Sequence, residues 1–173
     1  IYVSAPGKAI LHGEHAVVHG KVTSNKAKMA LAVSLNLRSY LRLEATSTGT
    51  VGVNLPNIDT FLHWNLSELK QFAPSVSGNE QLTLGAAQLT VSVWSELPTG
   101  AGLGSSAAYT VCLAAALLCA SGAISSPLKE WEHTARWCQE ELELINSWAF
   151  QGEMIIHGNP SGVDNAVGTW GGS

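Results

Sequence analysis

The segment 98–108, with the sequence PTGAGLGSSAA, contains the residues best suited to chemistry. Its glycines at positions 100, 102 and 104 let backbone N–H groups turn inward, because no Cβ atom stands in the way. Ser105 and Ser106 follow, and the apolar run 107–120 behind them predicts a buried helix. Since free N–H groups and the positive end of a helix dipole attract anions, the segment predicts a binding site for nucleotide phosphates.

Two widespread phosphate-binding patterns do not fit this loop. The Walker A pattern places Lys and then Ser or Thr after its second glycine, whereas Gly104 is followed by Ser-Ser-Ala-Ala. The dinucleotide-binding pattern needs G-x-G-x-x-G, whereas the spacing here is G-x-G-x-G. A glycine-rich turn between a strand and a helix can also lack any ligand. The serine pair at the start of a buried helix favours phosphate binding over that alternative.

Glu153 is a second candidate, because it falls on the apolar face of a helix that periodicity predicts over 140–156. A carboxylate cannot stay ionised and unpaired in a dry interior, so Glu153 needs an Arg, a Lys or a metal ion there. Alternatively, it lies near enough to the helix end to reach water, and the sequence leaves both interpretations open. By contrast, Glu140, Glu141 and Glu143 fit a solvated first turn of the helix. The other members of the apolar face are Leu142, Ile145, Ala149, Gly152 and Ile156.

Lys8 and Asp164 are the remaining charged candidates. Lys8 lies among apolar residues near the N-terminus, which is unusual unless a negative group faces it. The helix that carries Glu153 should end at the His-Gly-Asn-Pro segment 157–160, because glycine and proline stop helices. We therefore expect Asp164 in a loop just after that helix, where it can also form an Asx turn or a helix N-cap.

The elements that must position these residues follow from the hydrophobic periodicity. Sheet is predicted early in the chain and helix late, so the fold class is α+β. The segment 59–88 has no clear period and receives no assignment, and a helix is predicted over 126–133. Alternation of apolar and polar residues predicts strands that begin or lie over 1–5, 30–44, 51–55 and 88–97.

The 173-residue chain is 46% hydrophobic and 13% charged, with a net charge of −4, which fits one domain with a substantial core. The sequence shows no basic patch, which argues against nucleic-acid binding. The apolar stretch 107–123 is interrupted by polar residues and indicates a core helix, so we expect no membrane span. No signal peptide is evident, and the three cysteines form no CxxC pair, which fits a reducing cytosol.

Three motifs together resemble those of the GHMP kinases. The first is APGKAILHGEHAVVHG over 5–20, and the second is the glycine-rich segment with its preceding strand, WSELPTGAGLGSSAA over 94–108. The third is FQGEMIIHGNPSGVDN over 150–165, followed by TWGG at 169–172. The first and third motifs are highly specific. Within the family, the match is closest to the members that act on mevalonate.

This resemblance implies ATP-dependent phosphorylation of the primary hydroxyl of mevalonate, a step of isoprenoid and sterol synthesis. It implies that Ser106 and Glu153 hold Mg²⁺, which would supply the cation that Glu153 needs. It also implies that Asp164 takes the proton of the substrate hydroxyl, with Lys8 beside it near the reacting oxygen.

The resemblance also implies which residues bind the two substrates. Glu14 and His15 are expected to lie toward mevalonate. The positions matching nucleotide-binding residues are Lys8, Asn57, Ser95 and the loop residues Gly100, Ala101, Gly102, Leu103, Gly104, Ser105 and Ser106.

We expect residues 1–173 to form the N-terminal domain of a GHMP kinase, with the second domain of the family absent from this sequence. The alternative to a kinase is a catalytically silent fragment that binds a ligand or partner without turnover. The presence of Lys8, Ser106, Glu153 and Asp164 favours the kinase. The resemblance further implies a homodimer at full length and a cytoplasmic location, with the peroxisome as the alternative.

Overall fold

The structure, a computed structural model, describes residues 1–12, 30–47, 49–69, 88–126 and 137–171. Within these ranges the chain forms one mixed sheet with helices, which confirms the predicted α+β class. The strands are β1 (Tyr2–His12), β2 (Leu31–Thr46), β3 (Thr50–Leu55), β4 (Thr60–Asn65) and β5 (Gln88–Ser95). The helices are α1 (Leu66–Leu69), α2 (Ser105–Ser121), α3 (Gln139–His157) and α4 (Val163–Trp170), with a 3-10 turn at Pro56–Ile58.

The sheet has the strand order β1-β2-β5-β3-β4. β2 pairs antiparallel with both β1 and β5, so that Leu41 lies between Val3 and Val93. β3 runs parallel to β5 and antiparallel to β4. The strands predicted from alternation are confirmed. β4 and α1 fall in the segment 59–88 that had no assignment, because they are short and mostly exposed and therefore show little periodicity.

The core lies between one face of the sheet and helix α2. Leu41, Leu43, Val91 and Val93 of the sheet are buried against α2, whose inward residues include many alanines. The alternation of apolar and polar residues along β2 does not lead to burial along the whole strand. Leu31, Val33 and Leu37 in its first half are exposed, whereas Leu41 and Leu43 are buried. The buried helix predicted over 107–120 is confirmed.

Helix α3 packs on α2 and confirms the helix predicted over 140–156. Gly152 sets how closely the two helices approach, since a Cβ atom there would lie 2.8 Å from Thr110 Cγ2. Of the predicted apolar face, Ile145 and Ala149 are buried together with Glu153. The prediction was wrong for Ile156, which is exposed because the last turn of α3 extends past the core.

The helix predicted over 126–133 lies almost entirely outside the described residues, which stop at Ser126 and resume at Trp137. The described helices include none that is long and apolar enough to cross a membrane.

The start of α3 is fixed by the carboxylate of Glu141, which was predicted to be solvated. Glu141 accepts hydrogen bonds from the backbone N–H groups of Cys138 at 2.9 Å and Ser125 at 2.8 Å. It thus closes a capping box and ties α3 to the segment that follows α2. These backbone hydrogen bonds lower the pKa of Glu141 to about 2.

We predict that Glu141→Gln lowers the melting temperature at pH 7, because an amide oxygen replaces only one of two accepting oxygens. A lowered pKa stabilises the fold above the ordinary glutamate value of 4.5, and this contribution is lost as the pH falls toward 2. The difference in melting temperature between the variant and the wild type should therefore become smaller as the pH falls over that range. Glu143→Gln on the same helix is the control, and an equal effect there would contradict the assignment.

Candidate active site

The glycine-rich loop turns as its sequence predicts. Gly100, Gly102 and Gly104 have φ values of 72°, 70° and 74°, in the left-handed region that side chains disfavour. The backbone N–H of Lys8 donates to the carbonyl of Leu103 at 2.9 Å, so the loop is anchored to β1. The loop therefore holds a defined position beside the strand that carries Lys8.

The loop leads directly into the N-terminus of α2. Gly104 is the N-cap residue, and no side chain caps the first N–H groups of this 17-residue helix. In an α-helix the first four N–H groups have no acceptor within the helix. Together with the positive end of the helix dipole, these free donors favour the binding of an anion. The predicted phosphate site thus has its two parts, loop and helix end, in continuous chain.

Lys8 has the negative partner that its apolar surroundings require. Its Nζ atom lies 3.1 Å from Oδ2 of Asp164, and the lysine is buried whereas the carboxylate is partly exposed. The prediction that Asp164 lies in a loop was wrong. Gly162 is the N-cap of α4, and Asp164 stands in the first turn of that helix, where a carboxylate interacts favourably with the dipole.

Glu153 is buried, with 2% of its surface exposed, so the alternative that it reaches water is wrong. Burial raises the pKa of its carboxyl group. Its Oε2 accepts a hydrogen bond from Ser106 Oγ at 3.4 Å and lies 3.6 Å from His157 Nε2. Its Oε1 is buried without a hydrogen-bond partner in the described structure. Among the described residues, no Arg or Lys forms an ion pair with Glu153.

The groups around Glu153 fit a magnesium ion. The unpartnered Oε1 and the hydroxyl of Ser106 are hard oxygen donors, which Mg²⁺ prefers. The described residues contain no cluster of three His, Cys, Asp or Glu side chains that would hold a metal alone. Mg²⁺ is commonly bound through one or two protein ligands together with the phosphates of a substrate.

A cavity of about 220 Å³ brings the charged groups together, and we name it the polar cavity for the charged side chains in its wall. Its position at the junction of β1, α3 and α4 makes the ion pair and the buried carboxylate reachable by one small ligand. The residues of its wall that carry charge or hydrogen-bonding groups are Lys8, Glu153, His157, Asn159, Ser161 and Asp164.

A second cavity of about 440 Å³ is mostly apolar and has Ser106 in its wall. Asn57 and Ser95, both predicted to contact the nucleotide, line it and bind each other. The Asn57 amide donates to the Ser95 carbonyl at 3.0 Å and accepts from the Ser95 N–H at 2.8 Å. Tyr109 and Ile156 add apolar surface, and Ser105 and Ser106 connect this cavity to the phosphate loop.

The structure therefore brings most of the predicted site residues into one continuous region. Glu14 and His15 lie outside the described residues. His157 was missed, although it stands in the third motif and four residues after Glu153, a spacing that places two side chains on one helix face. Asn165 was also missed. It is buried, and its amide donates to Asn146 Oδ1 at 2.7 Å, which joins α4 to α3 beside Asp164.

Comparison with known proteins identifies the family of the chain. A family model described as the GHMP kinases N terminal domain matches residues 77–172. The chain belongs to the GHMP kinases. It is 50% identical over its whole length to mevalonate kinase of Bos taurus and 47% identical to mevalonate kinase of Homo sapiens. The crystal structure of Methanococcus jannaschii mevalonate kinase matches 99% of the chain with a TM-score of 0.69 and 25% identity.

The chain spans about half the length of the relatives it matches. It covers 52% of the bovine and human proteins and 51% of the Methanococcus jannaschii chain. The similarity therefore extends across this whole chain and over one part of each relative.

The contact between loop and lysine gives a test by paired glycine variants. Alanine at Gly100 or Gly104 costs about 1–2 kcal/mol, because an L-residue is strained at positive φ. A Cβ atom at Gly104 would also lie 2.8 Å from Lys8 Cγ, whereas one at Gly100 has no neighbour within 4 Å. We predict that Gly104→Ala lowers the free energy of unfolding, measured by urea denaturation, more than Gly100→Ala does. Equal losses would contradict the close contact with Lys8.

Proposed function

We propose that this chain contributes the nucleotide-binding and catalytic residues of an ATP-dependent kinase that phosphorylates the primary hydroxyl of mevalonate. The observation that carries the proposal is the Lys8–Asp164 ion pair of 3.1 Å, set in one cavity with the buried Glu153. Ser106, two residues after the glycine-rich loop, contacts Glu153 and lines the second cavity. The choice of mevalonate rests on the relatives, which are named mevalonate kinase.

The nucleotide would lie across both cavities. Its base fits the mostly apolar cavity, where Tyr109 and Ile156 offer contact surface and Asn57 offers a polar edge. Its phosphates would then reach the N–H groups of the glycine-rich loop and of the first turn of α2. Ser106 stands at the boundary, because it lines the apolar cavity and contacts Glu153 at the edge of the polar one.

Asp164 would act as the base toward the acceptor hydroxyl. Its side chain is 31% exposed and lines the polar cavity, so a bound alcohol can reach it. Lys8 pairs with this carboxylate at 3.1 Å, and its ammonium group would stabilise the negative charge that develops on the reacting oxygen. Phosphoryl transfer depends mainly on such positioning and charge stabilisation.

Ser106 and Glu153 would hold Mg²⁺. When bound, the ion neutralises charge on the ATP phosphates during transfer. The residues themselves contribute a buried carboxylate whose pKa is raised by burial and a hydroxyl within hydrogen-bond distance of it. Glu14 and His15 stay predicted substrate contacts, and the homodimer and the cytoplasmic location likewise stay predictions.

The role of Asp164 is tested by Asp164→Asn in the purified protein. We predict that kcat for mevalonate-dependent ADP formation falls by about 10²–10⁴-fold, because the amide cannot accept the proton. The affinity for ATP, measured by calorimetry, should change little. Asp59→Asn is the control, since Asp59 is exposed and lies outside the polar cavity. Turnover of the Asp164 variant at the wild-type rate would remove this residue from the reaction.

The metal assignment is tested by Glu153→Gln, which keeps the shape of the side chain and removes its charge. We predict that the variant needs at least about 10-fold more Mg²⁺ for half-maximal activity, because a carboxylate ligand is replaced by a weaker amide donor. Glu143→Gln, an exposed change on the same helix, should leave the requirement unchanged. An unaltered Mg²⁺ dependence of the Glu153 variant would contradict the assignment.

A further inference from the structure

His157 contacts both residues proposed to hold the metal ion. Its Nε2 atom lies 3.1 Å from Ser106 Oγ and 3.6 Å from Glu153 Oε2. It is the last residue of α3, four positions after Glu153, and its side chain also lines the polar cavity beside Lys8 and Asp164. Ser106 Oγ thus contacts two side chains of α3, Glu153 and the imidazole of His157.

The hydroxyl of Ser106 needs a defined orientation to bind a cation. It has one hydrogen and two lone pairs, so a lone pair can point to the cation only if the hydrogen points elsewhere. Two groups that can accept this hydrogen lie within hydrogen-bond distance of Oγ. They are Glu153 Oε2 at 3.4 Å and His157 Nε2 at 3.1 Å, the latter in the tautomer that carries its hydrogen on Nδ1. The shorter contact is the one to the histidine.

The two acceptors differ in what else they must do. Glu153 is itself proposed to give its oxygens to the cation, and an oxygen that accepts from Ser106 has less electron density to offer. A hydrogen bond from the hydroxyl to His157 Nε2 leaves the carboxylate free. Partners of this kind, which bind a metal ligand rather than the metal, fix ligand orientation and increase affinity.

We propose that His157 is a positioning residue that accepts the hydroxyl hydrogen of Ser106 through Nε2 and thereby orients Ser106 Oγ toward the divalent cation. The inference rests on the proposed function, since it assigns a role in the same metal and nucleotide site. It predicts a dependence on the histidine acceptor atom that helix stability alone does not produce.

The test compares His157→Ala, which removes the acceptor, with His157→Gln, which retains one. Fluorescence titration of the purified protein with an N-methylanthraniloyl derivative of ATP gives nucleotide affinity at increasing Mg²⁺ and in EDTA, without turnover. We expect His157→Ala to raise the Mg²⁺ concentration for half-maximal binding by about 10-fold, the lower end of the range for such partners. Affinity in EDTA should be unchanged, and His157→Gln should recover most of the loss.

Ile155→Ala is the matched control, because Ile155 is 87% exposed in the same helical turn and should leave both titrations unchanged. A Mg²⁺ dependence of His157→Ala equal to wild type would overturn the inference. An equal loss in His157→Ala and His157→Gln would also overturn it, because the acceptor atom would then not matter. If wild-type protein bound the nucleotide with no response to Mg²⁺, the proposed function itself would fail, a result distinct from either of these.

Discussion

One lysine faces two carboxylates where β1, α3 and α4 meet, and this charge imbalance constrains the rest of the site. Lys8 is paired with Asp164 at 3.1 Å, which leaves the buried Glu153 without a cationic ion-pair partner from Lys or Arg among the described residues. Burial raises the pKa of Glu153, so its ionised form costs folding free energy as the pH rises above the ordinary value of 4.5. The cation proposed to bind here would offset that cost and would thereby couple the stability of this region to ligand binding.

The surrounding fold holds these charges at fixed distances through close backbone contacts. Gly152 lets α3 approach Thr110 of α2, and this contact brings Glu153 to the end of α2 that carries Ser106. The hydrogen bond from Lys8 N–H to the Leu103 carbonyl joins the loop to β1. Asn165 joins α4 to α3 next to Asp164. The charged groups therefore come from three elements, each of which is fixed to a neighbour.

Much of this arrangement could be predicted from the sequence, because it depends on local patterns. Three glycines in five residues predicted the turn, and an apolar run predicted α2. The apolar surroundings of Lys8 predicted a negative partner, and the resemblance placed Lys8 beside Asp164. For Glu153, the local sequence left burial and contact with water both open. Asp164 was wrongly expected in a loop, since the glycine and proline that end α3 hide the start of a further short helix at Val163.

Other features depend on contacts between distant segments and left no local signal. The sequence around Glu141 predicts a solvated residue, whereas its carboxylate accepts a hydrogen bond from the backbone N–H of the distant Ser125. The pair formed by Asn57 and Ser95 joins a 3-10 turn to the end of β5 across 38 positions of chain. Ile156 fitted the apolar period of α3, yet periodicity does not show that the core ends before the helix does.

The most direct measurement of the central claim is the location of a divalent cation by anomalous scattering. Crystals of the protein grown with Mn²⁺ and a non-hydrolysable ATP analogue would show the ion as an anomalous peak. We predict one peak within bonding distance of Glu153 and Ser106 Oγ, next to the phosphates at the N-terminus of α2. A nucleotide bound there with no peak at Glu153, or with Glu153 paired to a lysine or arginine instead, would contradict it.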